Sequence, residues 1–117
     1  MIKQISLCTK RRDISHDECV KYHREIHMPL VKRLLGSGMS KYVAYYVDHA
    51  VAHMTLEWTQ VPPPCDIIVE IWWKDETWKN LDAFFKTPEG RQIPEDETHW
   101  LDQESLITMV TQQYQII

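Results

Sequence analysis

The chain has 117 residues, enough for one domain (1–117) with a real core and too few for two. Thirteen basic against seventeen acidic residues leave a net charge of −4, which argues against nucleic acid as a partner. No run approaches membrane-spanning length and the first ten residues lack the apolar core of a signal peptide, so a cytoplasmic protein with no membrane association is expected.

Ile2 to Cys8 predicts a first strand, in which Ile5 and Leu7 alternate with Gln4 and Ser6. Lys10-Arg11-Arg12 reads as a solvated turn leading into the next element. Ile14 to Gly36 then predicts one amphipathic helix. Ser15 suits the N-cap and Glu18 completes a capping box. Cys19, His23, Ile26/His27, Leu30/Val31 and Leu34/Leu35 recur at helical spacing on one face. Lys32 and Arg33 suit the last turn, and Gly36 the left-handed cap. Pro29 breaks the pattern: its ring opposes the Glu25 carbonyl, a conflict costing about 3 kcal/mol in a straight helix. A kink is expected just after His27.

Lys41 to Val47 predicts a second strand, bulky on both sides and therefore covered on both. Asp48 to Asp66 fits either an irregular edge strand or a long lid, closed by the stiff run Pro62-Pro63-Pro64. Ile67 to Lys74 is the strongest strand, with Ile67, Val69, Ile71 and Trp73 on one face and Ile68, Glu70 and Trp72 on the other. Asp75 or Thr77 would cap a helix burying Trp78, Leu81, Phe84 and Phe85. Thr87-Pro88 fits the start of a short helix, Pro94 begins an acidic turn to Asp102, and Leu106 to Gln113 predicts the last strand.

This order, β-α-β-β-α-β, defines an α+β ferredoxin-like subunit with helices on one face of an antiparallel sheet. The other face needs cover, and a two-fold homodimer packing sheet against sheet supplies it. Three cysteines without CxxC spacing imply neither a disulfide framework nor a zinc site.

Two stretches carry a likeness. Tyr22-His23-Arg24-Glu25-Ile26-His27-Met28-Pro29-Leu30-Val31 and Pro94-Glu95-Asp96-Glu97…Trp100-Leu101-Asp102 resemble the EthD family of dimeric α/β-barrel proteins. The resemblance implies ferredoxin-like subunits paired into a barrel, with a pocket between the sheet and helices of each subunit. Relatives of this fold include cofactor-free polyketide cyclases, dehydratases, decarboxylases, small monooxygenases, isomerases and proteins of no known activity, so the resemblance implies one of these roles. His27 falls on the family's histidine, whereas His23 stands where the family commonly has tryptophan.

On a buried face, an imidazole can hold or release a proton near neutral pH. At i and i+4, His23 and His27 would lie within ~6 Å, and protonating one opposes protonating the other. Both are therefore candidate catalytic residues, with His53 as a third, reaching over the pocket mouth from the long connection. Tyr22, Tyr46, Trp72, Trp78 and Trp100 are candidate contacts for a hydrophobic aromatic small-molecule substrate. The expected activity is a cofactor-independent lyase or cyclase on an aromatic polyketide-like substrate in secondary metabolism. Two alternatives stand: a cofactor-free monooxygenase on a phenol, and a non-catalytic binding dimer. Zinc is disfavoured because the spacing is H-R-E-I-H rather than H-E-x-x-H. His16 and His49 are expected to face solvent, and His99 to make a local polar contact.

Overall fold

In the computed structural model, residues 1–48 and 64–117 are described. The edge-strand or lid reading of the long connection, and His49 and His53 within it, lie outside the described residues. Strands β1 (Ile2–Cys8), β2 (Met39–Tyr46), β3 (Ile67–Trp73) and β4 (Ile107–Thr111) form one antiparallel sheet in the order β2-β3-β1-β4. Ser6 stands opposite Val69 on one side and Thr108 on the other, and Ile5 opposite Glu70 and Met109. β2 begins two residues before the predicted Lys41, because Met39 already pairs with Trp73 across an irregularity at Ser40. β4 is shorter than predicted at both ends.

Helices α1 (His16–Tyr22), α2 (Met28–Leu35), α3 (Asp75–Phe85) and α4 (Gln92–Glu97) cover one face. Cys19, Val31, Leu35 and Ile93 pack there on Cys8, Ile67, Val69, Ile71 and Trp73, all at most 7% exposed. The predicted stripe of α3, Trp78, Leu81, Phe84 and Phe85, joins this core from its rim.

Several local expectations are corrected. The predicted single helix is three pieces: a π-helical turn, His23–His27, separates α1 from α2. Met28 N–H bonds to the His23 carbonyl, five residues back, so the disturbance announced by Pro29 takes the form of a widened turn that ends at His27. Pro29 then sits in the first turn of α2, where its missing N–H is no loss. At the front end, Ser15 Oγ accepts from Glu18 N–H, 3.1 Å, but the Glu18 carboxylate accepts from the Ser15 hydroxyl, 3.2 Å, rather than from its backbone N–H, so the capping box is half formed. Gly36 is right-handed helical, φ −59°, and leads into a 3₁₀ turn instead of a left-handed cap.

Lys74, not Asp75 or Thr77, takes the N-cap position of α3 and offers no side-chain bond. Thr87 makes the expected cap bond, its hydroxyl accepting from Gly90 N–H, 3.0 Å, and donating to the Phe84 carbonyl, 2.6 Å, but the turn it opens becomes regular helix only at Gln92. Gly90 lies so close beneath the Phe84 carbonyl that any Cβ there would collide with backbone. His16 is not free in solvent; its Nδ1 lies 2.7 Å from Asp66, whose other carboxylate oxygen accepts from Lys10 N–H at 2.8 Å.

The outer face of the sheet carries Ile5, Leu7, Val43, Tyr45, Ile68, Trp72, Ile107 and Met109, placed there by strand alternation. Tyr45, Ile107 and Met109 are 47%, 51% and 41% exposed in the single chain. Among the described residues, no helix is long and apolar enough to cross a membrane.

Candidate active site

The π turn holds both histidines inward, as their spacing implies. His23 is fully buried and His27 is 5% exposed, with ring centroids 5.7 Å apart. Trp100, buried behind them, contacts both rings at 5.1 and 4.9 Å between centroids. Beyond this shared packing their situations differ.

His23 is enclosed by protein. Its Nδ1 lies 2.9 Å from the Tyr46 hydroxyl and its Nε2 3.3 Å from the Tyr42 hydroxyl. A neutral imidazole has one donor and one acceptor nitrogen, so one tyrosine donates to it and the other accepts. Burial, with the neighbouring His27, lowers its pKa to about 3. His23 is therefore neutral throughout the working range.

His27 reaches a different partner. Its Nδ1 is 2.8 Å from Asp96 Oδ2, while the Tyr22 hydroxyl donates to Asp96 Oδ1 at 2.6 Å. A carboxylate only accepts, so the His27 proton sits on Nδ1 and Nε2 keeps its lone pair. Burial lowers the His27 pKa; the hydrogen bond and charge of Asp96 oppose that without reversing it. Tyr22 stays protonated, its pKa raised to about 12 by burial and by the Asp96 carboxylate. Asp96 thus fixes one tautomer and one ring orientation of His27.

Between sheet and helices lies a cavity of about 210 Å³, walled by apolar side chains that include Val31, Leu35, Val69, Ile71, Trp73, Leu81, Phe85 and Ile93. His27 and Trp100 line it, and so does Glu97. Glu97 is part-buried, and burial, reinforced by Asp96, raises its pKa to about 7. The floor is polar: Trp73 Nε1–H donates to Gln4 Oε1 at 3.0 Å, Gln4 Nε2 donates to Ser6 Oγ at 2.9 Å, and Ser6 and Thr108 hydroxyls lie 3.1 Å apart. Within β1, Gln4 and Ser6 therefore face the helices and Ile5 and Leu7 face outward.

Of the residues predicted from sequence, His27 and Trp100 reach the cavity wall. His23 stands behind it, Tyr46 holds His23, and Tyr22 holds Asp96. Trp78 packs on Trp73 at the rim, 6.4 Å between ring centroids. Trp72 lies on the opposite face of the sheet with the Lys3 and Lys41 ammonium groups 4.5 and 5.0 Å from its ring centroid, and its neighbour Trp73 takes the cavity position. Asp96, Glu97, Gln4, Ser6 and Thr108 were not singled out from sequence. His99 lies against Tyr22, 5.9 Å between ring centroids, a local packing contact.

Four antiparallel strands in this order, with helices on one face, define a ferredoxin-like α+β protein whose cavity lies between its layers. The chain belongs to the EthD family: the EthD domain profile matches residues 11–104. Solved structures agree on the fold. An EthD family protein of Bacillus halodurans superposes with a TM-score of 0.64 at 12% identity, covering 97% of this chain and 100% of its own. HapK of Hahella chejuensis gives 0.64 at 10% identity, covering 97% and 93%. A dimeric protein of unknown function with a ferredoxin-like fold, from Bacteroides fragilis, gives 0.58 at 12% identity, covering 96% and 95%. No curated protein matches this chain in sequence.

Proposed function

We propose that this protein is a cofactor-independent lyase or cyclase acting on an aromatic polyketide-like substrate, with His27 as the proton-transfer group. One observation carries the reading: Asp96 holds the His27 proton on Nδ1, and the ring lines an apolar cavity with Nε2 still basic. A base held in that form is what abstraction of a proton beside a carbonyl requires. The enolate so formed can expel a β-hydroxyl group as water or close a ring by aldol addition. In a decarboxylation the enolate instead arises from the carbon–carbon bond that releases carbon dioxide and is then protonated at carbon. His23, fixed by two tyrosine hydroxyls, serves as a rigid backing for His27.

The working unit in this reading is a homodimer closed on the outer sheet face. The exposed Tyr45, Ile107 and Met109 support it, as does the dimeric state of the Bacteroides relative. The test is turnover of aromatic β-polyketones followed by mass spectrometry, with wild type and His27→Asn. Wild type should release water or carbon dioxide, or cyclise its substrate, and His27→Asn should lose about 10²- to 10⁴-fold of that rate with fold and assembly intact. Equal rates for the two proteins would refute the role of His27. Oxygen uptake with an oxygenated product would move the assignment to the monooxygenase reading.

A further inference from the structure

The cavity has a second ionisable wall that the reading above leaves unused. Glu97 and His27 both line it, from α4 and from the π turn. No described residue donates a hydrogen bond or ion pair to the Glu97 carboxyl. The titratable groups that face it are Cys8 from β1, Tyr42 from β2, Asp96 beside it in α4, and His27, which lines the same cavity. None is a cation: the Cys8 thiol and Tyr42 phenol are pushed up by burial and stay protonated, and His27 is pushed down and stays neutral. No lysine or arginine is among the described residues that line the cavity. An unpaired carboxylate on an apolar wall is expensive, so the carboxyl holds its proton to about pH 7.

We propose that Glu97 is the general acid sharing this cavity with His27 and that the substrate entering it is an uncharged, oxygenated aromatic rather than a free carboxylate. The proposal rests on the reading of His27 as the base, and it selects dehydrative chemistry over decarboxylation. His27 Nε2 takes the proton from the carbon beside a carbonyl, and that electron pair forms the new carbon–carbon double bond. Glu97 gives its carboxyl proton to the departing hydroxyl, which leaves as water with the carbon–oxygen bonding pair. The imidazolium then returns a proton through solvent to the Glu97 carboxylate, restoring both groups. A substrate carboxylate would meet no counter-ion among the described lining residues and would face Glu97 itself, whereas the Gln4–Ser6–Thr108 floor can hydrogen-bond neutral hydroxyl or carbonyl oxygens.

Two measurements test this without any turnover. In ¹³C NMR of the wild-type protein, the Glu97 carboxyl should titrate near pH 7; titration at an ordinary glutamate value overturns the proposal. Calorimetric binding of 1-naphthol and 1-naphthoate at pH 6 to 8 reads the selectivity. Wild type should prefer the naphthol by about tenfold or more, roughly 1.4 kcal/mol, with affinity changing as Glu97 ionises. Glu97→Gln should bind naphthol with no pH dependence in that range. Equal or tighter binding of naphthoate, or no binding of either, overturns it. Should Glu97→Gln fail to fold, the wild-type titration and selectivity still decide. If both come out as expected while His27→Asn keeps full turnover, the base assignment falls and the general-acid step falls with it, but the cavity's preference for uncharged ligands stands.

Discussion

Where β1 runs beside β4, the two faces of the sheet contrast in polarity. On the helix side, where the chain is closed, β1 presents Gln4, Ser6 and Cys8, and β4 adds Thr108. On the outer side, where the single chain is open, the same strands present Ile5, Leu7, Ile107 and Met109. Burying polar groups while exposing aliphatic ones is unfavourable for an isolated domain whose only task is to fold. The inversion makes sense if the inner layer is shaped for a ligand with oxygen atoms and the outer layer for a second subunit. Polarity on the strands' inner side is tolerated because Gln4, Ser6 and Thr108 are bonded in a chain that starts at Trp73.

The largest effect should come from the carboxylate that sets the inner face's chemistry. Asp96→Asn removes the acceptor that fixes the His27 tautomer, and turnover should fall about 100-fold or more in steady-state assays. The variant should fold, since Tyr22 can still donate to the amide oxygen. On the outer face, the pair Ile107→Asp with Met109→Lys should convert a dimer to a folded monomer in sedimentation velocity. An unchanged sedimentation coefficient would remove the explanation of that face.

His23→Phe sharpens the division between the two histidines. It strands the Tyr42 and Tyr46 hydroxyls, so urea unfolding at pH 7.5 should show a loss of about 2–4 kcal/mol. The pH dependence has a definite sign. Above the ordinary histidine value both states are neutral; below 6.5 the unfolded wild type takes up a proton that folded His23, with its pKa near 3, refuses. Wild-type stability therefore falls on acidification between 6.5 and 3 by a contribution the variant lacks, and the gap between the two should narrow. Gly90→Ala should cost about 1–3 kcal/mol, because its Cβ meets the Phe84 carbonyl and disturbs the turn that delivers α4. The smallest effect is Ser6→Ala, about 1 kcal/mol from the hydrogen bonds it shares with Gln4 and Thr108.

How far these features were legible depends on the distance over which each is decided. Strand alternation in Ile67–Trp73 and helical spacing from Cys19 to Leu35 are local, and they carried the element order, the fold and the inward pair of histidines. Pro29 announced a disturbance, but that the chain answers it with a π turn ahead of the proline depends on packing that no propensity encodes. Asp96 lies 69 residues from His27, inside an acidic turn that reads as solvated surface; its place in the family-like segment was the only hint. Glu97 was hidden for the same reason. Trp72 and Trp73 are adjacent and equally aromatic, and only the pairing of Trp73 with Ile2 and Met39 on the helix side decides which one faces the cavity.

The account turns on the protonation of a single ring, and ¹⁵N NMR of the histidine side chains reads it directly. At pH 6.5 and above, His27 should be neutral with the proton on Nδ1 and a bare Nε2, and it should titrate below the ordinary histidine value. A proton on Nε2 at that pH, or titration above 6.5, would leave the cavity without a base and contradict the mechanism.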